Sequence, residues 1–137
     1  MRGVLVDAGP LVALLDRADS AHDACVAELK TLAGPLVTVW PALTEAMYLL
    51  GASWLAQKAL WSRIETGALQ LAELGDSDAP RMRELMEKHR DLPMDMADAA
   101  LVRVAERESI TRVFTLDRRH FSVYRPGRGK RFSILPR

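Results

Sequence analysis

Apolar positions along this chain follow two alternating patterns. Short runs rich in valine, leucine and isoleucine are bounded by turn residues. Between them lie longer segments in which apolar residues recur every three to four positions. The runs at 3–7 (GVLVD), 35–40 (PLVTVW), 68–74 (ALQLAEL), 111–117 (TRVFTLD) and 131–136 (RFSILP) read as strands. Helices are predicted for LVALLD after Pro10 and for 19–34, 41–51, 53–67, 76–91 and 93–109. Pro10 and Pro41 suit first helical turns, where a missing N–H costs nothing. Ser20 with Asp23 resembles a capping pair, and Gly34 and Gly67 are stop signals. The segment 76–91 puts acids first and bases last, in line with the helix dipole.

Strands alternating with helices argue an α/β fold with a mainly parallel sheet covered on both faces. Chemistry in such folds gathers beyond the carboxyl ends of the strands. Two apolar strands end there in an aspartate: Asp7 closes VLVD and Asp117 closes VFTLD. A carboxylate at the edge of a core costs several kcal/mol if left without partners. That is on the order of what burying a large side chain contributes, so each aspartate needs a partner, a cation or solvent. The segment carrying Trp40, Met47, Tyr48, Leu49, Leu50, Trp54 and Trp61 is more apolar than one buried helix face requires. It is either core or the surface of a homodimer.

The 137 residues, 49% apolar and 27% charged, fit one soluble globular domain spanning 1–137 with room for a core. No apolar stretch reaches the ~18 residues of a membrane span, and the N-terminus lacks the layout of a secretion signal. The one cysteine, Cys25, has no partner for an internal disulfide and sits in a helical pattern as a small core residue. Together these point to a cytoplasmic protein. The net charge of +1 hides a split. All 18 acidic residues lie within 1–117 beside 12 Lys and Arg, whereas 118–137 carry seven basic residues and no acid. Such a basic segment suits either a polyanion partner or a solvated tail against an acidic body.

Glu45, one turn into the helix after the second strand, and Asp98, near the start of the last long helix, can reach the same sheet edge as Asp7 and Asp117. Asp95 lies one turn before Asp98. Converging carboxylates repel, and in water-poor surroundings they protonate or bind a cation. An all-oxygen donor set selects Mg²⁺ or Mn²⁺ over zinc, and His22, His89 and His120 lack zinc-ligand spacing. Such an ion lowers the pKa of bound water and offsets charge on a phosphate, which suits phosphodiester hydrolysis. Ordinary readings exist beside this one: Asp95 or Asp98 as a helix-start residue, Glu45 as plain surface.

Taken in order, VDAGPLVALL, TEAMYLL, MADAALVRVA and FTLDRRHF resemble the PIN domain. The likeness is strongest to the small single-domain PIN proteins typified by the VapC toxins of bacterial toxin–antitoxin pairs, and it covers nearly the whole chain. The resemblance implies a three-layer α/β/α sandwich around a parallel sheet. It implies a Mg²⁺- or Mn²⁺-dependent endoribonuclease, acting on single-stranded RNA segments. The family's acidic residues map onto Asp7, Glu45, Asp98 and Asp117, with Asp7 and Asp98 expected to hold the metal ion. Thr115 matches a hydroxyl position near the family's site, and Asp95 stands as an outer carboxylate. The chain departs from the pattern at Ala8 and Gly9, where the family commonly carries Ser or Thr. The implied partners are an RNA substrate and a cognate antitoxin protein; the apolar helices add a second copy in a homodimer, and the lack of a long apolar run excludes a membrane. Arg118, Arg119 and the rest of 118–137 would hold flanking phosphates. Two other readings compete: a PIN-like protein that binds RNA or a partner without cleaving, and an unrelated α/β phosphohydrolase with Asp7 as nucleophile. The AGPL after Asp7, with no second acid two residues on and no nearby hydroxyl, disfavours the latter.

Overall fold

The computed structural model describes residues 3–137. Five strands, β1 (Val4–Val6), β2 (Leu36–Thr38), β3 (Leu69–Leu71), β4 (Arg112–Phe114) and β5 (Ser133–Leu135), form one parallel sheet in the order β3-β2-β1-β4-β5. The wholly apolar β1 takes the centre, where both faces are covered and polar side chains would be costly. Seven α-helices occur among the described residues: α1 (Ala8–Leu15), α2 (His22–Thr31), α3 (Trp40–Leu49), α4 (Trp54–Glu65), α5 (Ala79–Lys88), α6 (Met96–Glu108) and α7 (Arg118–Phe121).

Side chains alternate across a strand, so β1 feeds two cores. Leu5 packs in a cluster with Leu85 of α5, Leu101 and Val104 of α6 and Phe121 of α7. Val4 and Val6 face the opposite side, with Leu11 and Val12 of α1, Cys25 of α2, Leu43 of α3 and Leu60 of α4. The result is the expected three-layer α/β/α sandwich, with Cys25 buried in its core. No helix among the described residues is long and apolar enough to cross a membrane.

Several local boundaries differ from the pattern. Helix α1 starts at Ala8, before Pro10, because Asp7 caps it by accepting the Ala8 N–H. The second strand stops at Thr38; Val39 is already the N-cap and Trp40 the first residue of α3. Ser20 caps nothing: α2 begins after Ala21 without a side-chain cap, and Asp19 Oδ1 instead accepts the Ala21 N–H at 2.8 Å. Helix α7 has four residues, too few to show a helical period in the sequence. The largest correction concerns the aromatic helices. Trp40, Tyr48, Leu49, Trp54 and Trp61 are 39–83% exposed and do not belong to the core, although Leu50 is buried. They sit on faces of α3 and α4 that the sheet does not cover.

A buried ion network ties α5 to α6. Asp78, in the short turn that opens α5, is 3% exposed. Its carboxylate accepts Arg103 Nε at 2.8 Å, Arg107 Nη1 at 2.9 Å and the Gly75 N–H at 3.0 Å. These bonds, the Gly75 amide foremost, hold its carboxyl down at about 2. Its stabilising share is therefore present above the ordinary carboxylate range and lost only as pH falls toward about 2. Removing Asp78 takes away the one ion partner of Arg103 among the described residues, while Arg107 keeps Glu108 and the Glu73 carbonyl. Asp78→Ala is expected to destabilise the protein by about 3 kcal/mol, measured as a lower urea midpoint at neutral pH. An unchanged midpoint would mean the two arginines find equal partners elsewhere.

Candidate active site

The sheet places Asp7 where β1 ends. Its N–H donates to the Phe114 carbonyl at 2.9 Å, which fixes it beside the end of β4. The side chain is 9% exposed, and both oxygens are engaged. Oδ1 accepts the Ala8 N–H at 2.8 Å and Oδ2 accepts the Thr115 hydroxyl at 2.8 Å. Thr115 is fully buried, and its Oγ1 in turn accepts the Asp117 N–H at 3.0 Å. One hydroxyl thus bridges the two aspartates that end β1 and β4. Burial pushes the Asp7 carboxyl above its usual range in spite of these bonds, and the charges of Asp95 and Asp117 push the same way.

Asp98 arrives from the first turn of α6. It forms a reciprocal capping box with Asp95: Asp95 Oδ1 accepts the Asp98 N–H at 2.8 Å, and Asp98 Oδ2 accepts the Asp95 N–H at 3.3 Å. Burial first, then the charges of Asp95 and Asp7, push the Asp98 carboxyl up to about 7. Glu45 of α3 lies at the solvent side of the group, yet burial and the charges of Asp7 and Asp95 raise it too. Three carboxyls on three elements therefore feel one negative field. Asp117 adds its charge to that field, and each of its oxygens meets His120. Oδ1 accepts the His120 N–H at 3.1 Å, capping α7, and Oδ2 meets His120 Nδ1 at 2.7 Å.

These elements and their order match a known protein family. The PIN domain family model matches residues 4–126, a span that holds all four carboxylates. The chain belongs to the PIN domain family. Among characterised proteins, Ribonuclease VapC26 of Mycobacterium tuberculosis is 32% identical over 135 residues, 97% of this chain and 100% of that protein. Among solved structures, the Mycobacterium tuberculosis VapC20 toxin, which cleaves the sarcin–ricin loop, aligns with a TM-score of 0.76. That likeness covers 81% of this chain and 87% of the other at 17% identity, and it shows a shared fold.

The acidic edge of this PIN domain offers oxygen donors only, the chemistry of a hard divalent ion. Among the described residues no three His, Cys, Asp or Glu side chains form a ready ligand cluster. Mg²⁺ does not require one: it is commonly held through one or two carboxylates, with water completing its shell. Asp7 and Asp98 fit that role, since both are buried and the charge of Asp7 helps to raise the Asp98 carboxyl. A cavity of about 880 Å³ lies elsewhere, between Trp40, Gln70 and the Arg103–Arg107 side of α6. Its two arginines are already paired with Asp78.

The basic segment divides into two groups. Arg118 Nη1 donates to the Pro136 carbonyl at 2.7 Å, and Arg125 Nη1 donates to the carbonyls of Ser122, Val123 and Tyr124. Both tie down backbone through Nη1, and Arg118 remains exposed. Arg119, Arg128, Lys130 and Arg131 are exposed. Sequence reasoning missed His120 and Tyr124, which lie in a stretch without periodic pattern. The only available signal for His120 was its place three residues after Asp117.

Proposed function

We propose that this PIN domain is a divalent-metal-dependent endoribonuclease, the toxin member of a toxin–antitoxin pair acting in the cytoplasm. The observation that supports it best is the convergence of two buried carboxyls at the carboxyl edge of the sheet, Asp98 being raised by burial and by the charges of Asp95 and Asp7. The near full-length likeness to a ribonuclease supports it further. In this reading Asp7 and Asp98 hold Mg²⁺ or Mn²⁺. When bound, the ion activates water and offsets charge on the scissile phosphate. Thr115 and the Ala8 amide keep the Asp7 carboxylate in one orientation, and the capping box does the same for Asp98. Glu45, at the solvent side, orients water or substrate. Asp117 completes the acidic cluster, held in place by its hydrogen bonds to Thr115 and His120. Arg119, Arg128, Lys130 and Arg131 hold flanking phosphates outside the acidic edge, which by itself repels RNA. Incubating the protein with single-stranded RNA, in Mn²⁺ and in EDTA, while measuring binding in parallel tests the reading. Metal-dependent cleavage supports it. Binding without cleavage favours the RNA- or partner-binding alternative.

The exposed apolar faces of α3 and α4 belong to the same proposal as a homodimer surface. Trp54 is 62% exposed, Leu55 78% and Tyr48 83%, more uncovered apolar area than a monomer usually carries in one region. Sedimentation at micromolar concentration is expected to give a dimer, and Trp54→Glu with Leu55→Glu a monomer. A wild-type monomer would reject the assignment.

A further inference from the structure

The geometry points to Tyr124 as a positioning residue for Asp98, one that aims a single carboxylate oxygen toward the cation. The inference rests on the metal site proposed above. Tyr124 is fully buried. Its ring is held from three sides: Phe121 edge-on at 5.2 Å, His89 edge-on at 5.0 Å and His120 stacked at 6.3 Å between centroids. A phenol so enclosed needs a partner for its O–H. That partner is Asp98 Oδ2, at 3.4 Å.

The contact gains meaning from where the other donor goes. The Asp95 N–H also donates to Oδ2. Both donors therefore converge on one oxygen, from the helix start and from the interior, and no protein hydrogen bond reaches Oδ1 among the described residues. No buried side-chain oxygen of the described residues lacks a partner, so Oδ1 faces outward. The two oxygens divide the work: Oδ2 anchors the side chain to the fold, and Oδ1 is presented to whatever occupies the acidic edge. Outer partners that orient a ligating carboxylate commonly change ion affinity by a factor of about ten or more. Tyr124 is placed by α7, whose own start is capped by Asp117, with His120 lying against the ring. Asp117 thus reaches Asp98 indirectly, through His120 and the Tyr124 ring.

Tyr124→Phe keeps the ring and removes only the donor. Mn²⁺ binding to the full chain, followed by titration calorimetry and by thermal melting, is expected to weaken roughly tenfold, while the melting temperature in EDTA stays near that of wild type. In RNA cleavage the loss should fall on kcat, with KM unchanged. The Asp98→Asn background serves as the stability control, where adding Tyr124→Phe is read by the melting temperature alone. Equal Mn²⁺ affinity in wild type and Tyr124→Phe would overturn the role of Tyr124 alone. Absence of any Mn²⁺ effect on wild type would overturn the metal site and this inference with it. Equal losses of melting temperature in both backgrounds, with unchanged affinity, would make Tyr124 a packing residue only.

Discussion

Asp98→Asn and Asp7→Asn are each expected to lower Mn²⁺-dependent RNA cleavage by roughly 100-fold or more, with EDTA doing the same to wild type. Asparagine preserves the shape of each side chain and removes the charge that holds the ion. The fold should survive both changes. In Asp98→Asn the new amide carbonyl can still accept from the Asp95 N–H and the Tyr124 hydroxyl, because both donors already meet at one oxygen. At position 7 the donors sit on different oxygens, Ala8 N–H on one and the Thr115 hydroxyl on the other. An asparagine there keeps only one acceptor, so Asp7→Asn should be the less stable of the two. Undiminished cleavage in either variant, or full activity in EDTA, would sink the metal mechanism.

The metal-free protein should respond to pH in a direction opposite to that of an ordinary salt-bridged acid. The Asp98 carboxyl is raised from 3.8 to about 7, and Asp7 and Glu45 are raised as well. A raised carboxyl means that the folded state binds more protons than the unfolded chain between those values. Stability in EDTA therefore falls as pH climbs from about 4 to about 7, and it stays low above that. Removing the Asp98 charge removes the loss. In EDTA at pH 8, Asp98→Asn is expected to melt roughly 5–10 °C above wild type, with the gap narrowing toward pH 5. Mn²⁺ should reverse the order. A native-state ligand at a hundred times its Kd adds about 2.7 kcal/mol, which wild type gains and the variant does not. A variant that melts below wild type in EDTA at pH 8 would mean the carboxylate is better satisfied by its hydrogen bonds than its repulsive neighbours suggest.

Both expectations have a common physical origin. The sandwich carries its carboxylates on the ends of buried strands and the start of a buried helix, where the backbone geometry that packs the core also fixes their spacing. Water cannot fully solvate them there, and among the described residues no lysine or arginine pairs with Asp7, Glu45 or Asp98.

Hydrophobic periodicity alone determined the α/β alternation, the parallel sheet and the placement of Asp7 and Asp117 at strand ends. A buried parallel strand has to be continuously apolar, and a covering helix has to repeat every three to four residues, so both leave a local trace. The helix-start role of Asp95 was legible for the same reason, since a capping box spans three residues. Contacts between distant parts of the chain left no such trace. That Thr115 bonds Asp7 across 108 positions depends on β1 and β4 being neighbours, which only the closed sheet decides. Residue type could not tell whether Trp54 and Tyr48 are core or surface, because a buried and an interface aromatic look identical until the sheet has claimed its share of each helix. The backbone contact of Arg118 and the place of Tyr124 were overlooked for the mirror-image reason. A basic, irregular segment reads as solvated tail, yet in the folded protein its arginine closes the edge of the sheet and its tyrosine reaches into the core to meet Asp98.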